Sequence, residues 1–370
     1  MSHEKTYKIA VLPGDGIGPE VMQPCLDILK RAEEVVGGFA LDFDPVEAGA
    51  GHYAKHNVSI PASAMARAEQ ADAILLAAMG LPSVRYPDGT EIAPQLELRE
   101  RLGLYAGVRP IQTIAGLPLP LADPRGSKLN AVLVRESTEG LFAGRGKTVF
   151  AEDDSSATDT MFISRSVCER LFDFSFELAR KRKNEGAPGR VTCIDKANVL
   201  GGFAFFRKIF YERAARFPDI EADWAYVDAM ALNLVKRPWD FDVMVTENMF
   251  GDILSDLGAS LMGGMGLAPS ADIGDKNAVF QPCHGSAPDI VGQGKANPVA
   301  MILSAAMMLE WLADQKDNPS CRTAADLIRS SVTASFADGA LIPFELGGSA
   351  GTDLLAGSIM SNLSREPSLA

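Results

Sequence analysis

Two aspartates four positions apart, a lysine at a strand end and a set of nearby arginines are the residues of this chain best suited to chemistry. Asp252 and Asp256 close the segment Glu247-Asn248-Met249-Phe250-Gly251-Asp252-Ile253-Leu254-Ser255-Asp256. On a helix they share one face, where two carboxylates repel unless a cation lies between them. Oxygen ligands of this kind suit Mg2+ or Mn2+. By spacing alone the commoner reading is a solvated acidic helix start, which the helix dipole favours. A third carboxylate, Asp228, follows the apolar Ala225-Tyr226-Val227, which predicts a strand end that presents it to a cleft.

Lys196, in Asp195-Lys196-Ala197-Asn198-Val199, directly follows a strand-like run. It suits a general base if neighbouring cations lower its pKa, and is otherwise a surface lysine. Arg99, Arg101 and Arg109 lie close together, and Arg135 closes another apolar run. Guanidinium forks hold carboxylates in bidentate fashion, so such a set suits a dicarboxylate. The competing reading places helix-surface arginines against Glu97 and Glu100. It fits Arg101 better than Arg109, which sits in Val108-Arg109-Pro110.

The formal net charge of -13 argues against nucleic-acid or anionic-membrane partners. It also makes clustered arginines informative, because an acidic protein that binds an anion must gather positive charge locally. The five cysteines form no C-x-x-C pair and read as reduced, partly buried thiols of a cytoplasmic protein. Cys283 and His284 adjoin, but nothing near them completes a transition-metal site. His3, His52 and His56 have no evident partner.

The elements that must position these groups follow from apolar runs at 8–12, 73–77, 131–134, 191–194 and 243–246. Each is followed by glycine or by charged residues. Strands ending this way predict an open α/β sheet with ligands held past the strand ends. Residues 19–33 carry helical spacing. The turn Gly14-Asp15-Gly16-Ile17-Gly18-Pro19 fails as a dinucleotide fingerprint, because Pro19 stands where glycine is needed. Residues 144–164 are polar and aperiodic, and read as an extended arm, a hairpin or a solvated loop. Residues 299–313 carry Glu310, are too short to span a bilayer and read as a buried helix. Residues 1–7 are polar, with no apolar signal core. The length suggests two domains, or one large α/β unit with an inserted lobe.

In order and spacing, from Leu12-Pro13-Gly14-Asp15-Gly16-Ile17-Gly18-Pro19-Glu20 to Gly347-Gly348-Ser349-Ala350-Gly351-Thr352, these motifs resemble the isopropylmalate/isocitrate dehydrogenase family of β-decarboxylating dehydrogenases. The resemblance covers nearly the whole chain. It implies two α/β domains with a cleft between them and a cofactor site that is not a Rossmann fold. Residues 1–110 with 270–370 would form the larger, cofactor-binding domain. Residues 111–269 would form the smaller catalytic and dimerisation domain, with 144–164 as an inter-subunit clasp. Arg99, Arg109 and Arg135 match the arginines that grip the malate carboxylates. Asp228, Asp252 and Asp256 match the ligands of Mg2+ or Mn2+, and Lys196 the catalytic lysine that acts through the hydroxyl proton. Asn198 matches a residue near the nicotinamide. His284, Gly285, Ser286, Ala287, Pro288 and Asp289, with Asn297, match the adenosine-side loop, where Asp289 favours NAD over NADP. The resemblance implies a homodimer in which Lys196 and Asp228 reach into the partner's site.

Substrate choice in the family depends on residues before the first arginine, here Ile92, Ala93, Gln95 and Leu96. Ile92 and Leu96 suit an apolar substituent, whereas Gln95 is unfavourable against isopropyl unless it points away. Gly80-Leu81-Pro82 resembles the tartrate/D-malate branch, and Gly348-Ser349-Ala350-Gly351-Thr352 the isopropylmalate branch. The expected reaction is oxidation, with decarboxylation, of a malate-type 2-hydroxy diacid, closest to 3-isopropylmalate. Tartrate or D-malate oxidation is the alternative. A non-catalytic regulatory subunit is disfavoured because Lys196 and all three aspartates are present. One departure stands out. The family's usual tyrosine acid is replaced by Phe142, so another group or water supplies that proton, or the reaction stops at oxidation.

Overall fold

A computed structural model describes residues 5–363, so His3 lies outside the described residues. The strands are β1 (Lys5–Gly14), β2 (Phe39–Pro45), β3 (Ala73–Ala78), β4 (Ala106–Gln112), β5 (Asn130–Glu136), β6 (Val149–Phe150), β7 (Ala157–Thr158), β8 (Arg190–Asp195), β9 (Glu221–Tyr226), β10 (Val243–Thr246), β11 (Pro269–Ile273) and β12 (Ala278–Pro282). The helices are α1 (Gly18–Val36), α2 (Ala50–His56), α3 (Ala62–Gln70), α4 (Pro94–Leu102), α5 (Arg165–Asn184), α6 (Gly201–Ala214), α7 (Val227–Lys236), α8 (Asn248–Met262), α9 (Val299–Lys316), α10 (Pro319–Phe336) and α11 (Thr352–Leu363). All five predicted strands form, as β1, β3, β5, β8 and β10.

Ten strands make one sheet in the order β2-β1-β3-β12-β11-β4-β5-β10-β8-β9. Pairing is parallel on both flanks. At the centre β11 is antiparallel to β12 and β4, and β4 to β5. The two flanks therefore run in opposite directions and meet at β11 and β4.

The two faces of the sheet differ, and the difference places the site. One face is apolar across the whole width. Leu75, Phe280, Ala271, Val108, Val134, Val245 and Cys193 belong to a single buried cluster, covered by α1, α5, α9 and α10. The other face carries two separate clusters. Ile74, Leu76 and Val279 lie on one flank, and Ile111, Leu133 and Met244 on the other. Between them the side chains on β12, β11, β4 and β5 are polar: Gln281, Ser270, Asp272, Arg109 and Arg135, all buried. A strand face follows a period of two. The charged strip therefore comes from residues alternating with the apolar ones that build the other side.

Helix α9 is apolar on nearly every side and buried, as its sequence predicts, with Glu310 paired to Arg329 at 2.7 Å. Among the described residues no helix is long and apolar enough to cross a membrane. Within 144–164, β6 and β7 pair as a short antiparallel hairpin that leaves Val149 and Phe150 exposed. The strand end expected before Asp228 forms: β9 stops at Tyr226, and Asp228 lies two residues past it in the first turn of α7. The five cysteines are all unpaired thiols, four of them buried.

Aromatic packing under α5 anchors the flank of β5, β10, β8 and β9. The Phe176 ring, fully buried, stacks between Phe210 and Phe217 at 5.3 and 5.1 Å. Phe176→Ala removes that ring and leaves a cavity, so stability is expected to fall by about 3–5 kcal/mol. Urea unfolding followed by circular dichroism measures it, and a loss below about 1 kcal/mol refutes this account of the packing.

Candidate active site

The polar strip floors a cleft of about 390 Å3. Arg99 comes from α4, Arg109 from β4 and Arg135 from β5, and all three line the cleft while remaining less than a tenth exposed. Asp252 and Asp256 line it from α8, and Gln95 and Leu96 from α4. His284 and Gly285 close the far end.

The arginines are held individually. Asp272, 1% exposed on β11, takes Arg99 Nε at 3.0 Å and Arg109 at 3.2 Å. Arg109 also donates to the Ala271 carbonyl oxygen at 3.2 Å. Arg135 donates twice to the Asn248 side-chain oxygen, at 3.0 and 2.7 Å, and pairs with Asp252. Helix α8 can lie this close because residue 251 is glycine. A Cβ there would meet Arg135 Cγ at 2.6 Å. Glu247 caps the helix, accepting the Met249 and Phe250 backbone N–H groups. The surface reading for these arginines therefore holds only for Arg101, which pairs with exposed Glu69.

The electrostatics follow from this crowding. Burial, then repulsion from Arg99, pulls the Arg135 guanidinium down to about 10. Burial acts to raise the Asp272 carboxyl, but Arg99, Arg109 and Arg135 outweigh it and hold it below the usual carboxylate range. Across the cleft, burial and then the neighbouring Asp252 push the Asp256 carboxyl up. Asp252 already pairs with Arg135, whereas Asp256, one helical turn on, has no ion pair among the described residues, and a carboxylate left so is the condition a divalent cation meets. Among the described residues no group of three His, Cys, Asp or Glu within one chain is placed to hold a metal ion. The fit is that of a half-site needing a further ligand.

Lys196 and Asp228 are apart from this cleft. They pair with each other at 2.5 Å, and Asp228 is well exposed. The hydrogen bond from Lys196 holds the Asp228 carboxyl below its ordinary range. The strand end behind them is rigid. Buried Asp195 takes both arms of Arg207 at 2.6 Å, and the Arg207 guanidinium stacks 3.6 Å over Trp224. Nearby α7 leaves Leu232 and Val235 exposed, and α8 leaves Ile253 exposed. Asn198 is exposed in the turn after β8 and lines neither cleft described here.

A second hollow of about 380 Å3 is lined by Ile17, His284, Ala287, Ile290, Asn297 and Glu345. His284 borders both spaces. Its Nδ1–H donates to the Gly285 carbonyl oxygen at 2.9 Å, and its buried Nε2 has no partner among the described residues. Burial lowers its pKa, which keeps the imidazole neutral. Ser286 is buried, Pro288 and Asp289 are exposed, and Ala287 holds a φ of +36°, rare for a residue with a side chain. Asn297 is fixed by donating to Glu345 at 2.6 Å. The glycine turn of β1 braces this loop. Ile17 N–H donates to the Ser286 carbonyl oxygen at 2.9 Å, and a Cβ on Gly16 would lie 2.0 Å from that oxygen. Those glycines therefore serve close backbone packing, which agrees with the failed fingerprint. An apolar hollow joined to a polar cleft, with an orphaned ring nitrogen between them, fits a dinucleotide.

Sequence reasoning missed Asp272. Its signal was a carboxylate inside the apolar run Pro269-Ser270-Ala271-Asp272-Ile273, a charge that burial makes untenable without a cation. Ile92 is buried outside the cleft lining. Thr90 and Glu91 line the cleft instead, beside Gln95, whose Oε1 is buried and unpartnered. Gln95 borders the cleft, but that oxygen has no surface open to it. Phe142 lines the cleft with its ring 5.1 Å from the Arg135 guanidinium, and no tyrosine joins it there. His52 and His56 do have partners: their rings contact at 4.5 Å, and His52 faces Glu47.

Comparison with known proteins agrees with this geometry. The family model described as isocitrate/isopropylmalate dehydrogenase matches residues 8–356. The 3-isopropylmalate/3-methylmalate dehydrogenase of Methanocaldococcus jannaschii is 39% identical over 97% of this chain and 100% of its own. The 3-isopropylmalate dehydrogenase of Moorella thermoacetica is 42% identical over 82% of this chain and 85% of its own. Among solved structures, isocitrate dehydrogenase from Methylococcus capsulatus superposes with a TM-score of 0.84 at 33% identity, covering 97% of this chain and 100% of that one. A β-decarboxylating dehydrogenase from Thermococcus kodakarensis gives 0.78 at 35% identity, covering 96% of each. With the family model matching almost end to end and relatives near 40% identity, the chain belongs to the isocitrate/isopropylmalate dehydrogenase family and is a dehydrogenase.

Proposed function

We propose that this enzyme oxidises a malate-type 2-hydroxy diacid with NAD and a divalent cation, Mg2+ or Mn2+, and that 3-isopropylmalate, named for its relatives, is the first substrate to test. The observation that carries the reading is three buried guanidiniums facing two helix-spaced carboxylates across one cleft. Arg99, Arg109 and Arg135 bind and orient the two substrate carboxylates. Asp252 and Asp256 hold the cation, with Asp228 contributed across a subunit boundary. The cation held there would supply Lewis-acid polarisation of a C2 oxygen, and NAD held by the loop beyond it would supply a hydride acceptor. Lys196, aimed by Asp228, takes the C2 hydroxyl proton. The loop His284, Gly285, Ser286, Ala287, Pro288 and Asp289, with Asn297, cradles the adenosine side, and Asn198 approaches the nicotinamide. The larger lobe, 1–110 with 270–370, carries the cofactor, and 111–269 the dimer contacts.

The exposed apolar side chains Leu232, Val235 and Ile253 on α7 and α8, with Val149 and Phe150 on the hairpin, support a homodimer with shared sites. A second reading, tartrate or D-malate oxidation, is favoured by the polar Gln95 and Thr90 that border the cleft beside Leu96.

Purified protein given 3-isopropylmalate, D-malate and tartrate is expected to form NADH with at least one, and CO2 measured separately tests decarboxylation past Phe142. No NADH from any of the three sinks the proposal. Asp252→Asn should lower kcat by about 10²-fold or more with unchanged melting; full activity at saturating Mn2+ would falsify the metal assignment. For the shared site, inactive Lys196→Ala and Asp252→Asn chains are co-expressed. One intact site per mixed dimer should restore about a quarter of wild-type activity. No recovery places both groups in one chain's site.

A further inference from the structure

We infer that Glu20 and Thr352 are positioning residues for the cofactor: together they clamp the loop between β12 and α9 in the shape that receives the adenosine side. The inference rests on the NAD reading above and names what holds that loop in place.

Residues 283–298 join β12 to α9 without regular structure, and His284, Ala287, Ile290, Lys295, Ala296 and Asn297 of this loop line the second hollow. Its first limb is held by Ile17, through the Ser286 carbonyl oxygen. Its second limb is held by two side chains from opposite ends of the chain. Glu20, in the first turn of α1, accepts the Gly292 N–H at 3.2 Å through Oε2. Thr352, the first residue of α11, is 2% exposed. It donates its hydroxyl to the Ala296 carbonyl oxygen at 2.7 Å and its backbone N–H to the Gly294 carbonyl oxygen at 2.9 Å. The Thr352 hydroxyl also lies 3.0 Å from Glu20 Oε1, so the two side chains brace each other. Residue 351 has to be glycine for this approach, because a Cβ there would overlap the Gly294 carbonyl oxygen. The motifs at 12–20 and 347–352, which bracket the chain, thus meet on one loop.

Neither Glu20 nor Thr352 lines the hollow, so any effect on a ligand passes through the loop. The loop needs such support. Ala287 holds a φ of +36°, and Gly292 and Gly294 sit at +71° and +65°. A strained alanine persists only where its surroundings over-determine it, and glycines open many other conformations to a free segment. Clamped on both limbs, the loop is ordered before a ligand arrives, and binding does not bear the entropy of ordering it. With the second limb released, that entropy falls on the ligand. Affinity on the adenosine side then drops, while the arginine cleft is untouched. The competing role for Glu20 is an acid that stabilises the positive end of α1 and nothing more.

The experiment titrates ADP-ribose, which carries the adenosine and diphosphate without the nicotinamide, into the wild-type protein and its variants by calorimetry. Glu20→Ala and Thr352→Val are each expected to raise Kd by about ten-fold. Thr352→Ser, which keeps the hydroxyl, should stay within about two-fold of wild type. The double variant should lose less than the product of the two single losses, because both act on one loop. Amide exchange should quicken in 284–297 and not in β1 or α1. KM for the hydroxy diacid at saturating NAD should remain within about two-fold. An unchanged Kd in folded variants overturns the inference, and so does a lowered melting temperature with ADP-ribose affinity intact, the mark of the helix-end role alone. If Thr352→Val does not fold, half-buried Glu20 decides the matter through Glu20→Ala. Failure of the NAD reading is distinguishable, because then the wild-type protein itself binds neither ADP-ribose nor NAD.

Discussion

Burying three guanidiniums at the centre of a sheet is the constraint on which this molecule turns. A charge out of water must be paired or it destabilises the fold by several kcal/mol. Here two carboxylates, Asp272 and Asp252, and one amide, Asn248, take that burden. The pairing is not generous: the Arg135 guanidinium remains pulled down by burial and by its like-charged neighbours. A site left short of negative charge in a protein of net charge -13 is organised to receive an anion.

The sheet topology explains why the strip lies where it does. The flanks run in opposite directions, and the reversal is made by β11 and β4. At that seam, Asp272 stands in register with Gly107, and Gly107 with Arg135. One row across three strands thus carries a carboxylate, a space and a guanidinium. The apolar clusters on either side end at this row, while the opposite face continues unbroken. The continuous face holds the flanks together, and the interrupted face is left to bind.

Much of this was legible in the sequence, and the rest was hidden for a physical reason. Strand positions were readable because each is a short apolar run ended by glycine or charge. The acid pair on α8 was readable because helical spacing is local. Asp272 was overlooked because its partners, Arg99 and Arg109, lie far off along the chain. The burial of Ile92 and of the Gln95 side-chain oxygen depends on how the start of α4 seats against its surroundings, which spacing before Arg99 does not encode. The strand end before Asp228 was readable because Ala225 and Tyr226 close an apolar run, and β9 ends there; the helix that starts at once with Val227 was not marked by any turn residue.

The substituent wall shows how small a change of residue type redirects such a site. Leu96 and Gln95 are adjacent on α4 and both line the cleft. Leu96 gains from any apolar group placed against it. The Gln95 carbonyl has lost its water and found no donor, at a cost of about 1–3 kcal/mol. That oxygen has no surface open to the cleft, so a hydroxyl or amide N–H placed there reaches it only if the side chain turns. Discrimination of roughly ten- to hundred-fold would hang on that turn, as large as the gain expected from packing one or two methylenes on Leu96. The leucine contact therefore acts on any ligand that fills the cleft, whereas the amide acts only through a change of rotamer.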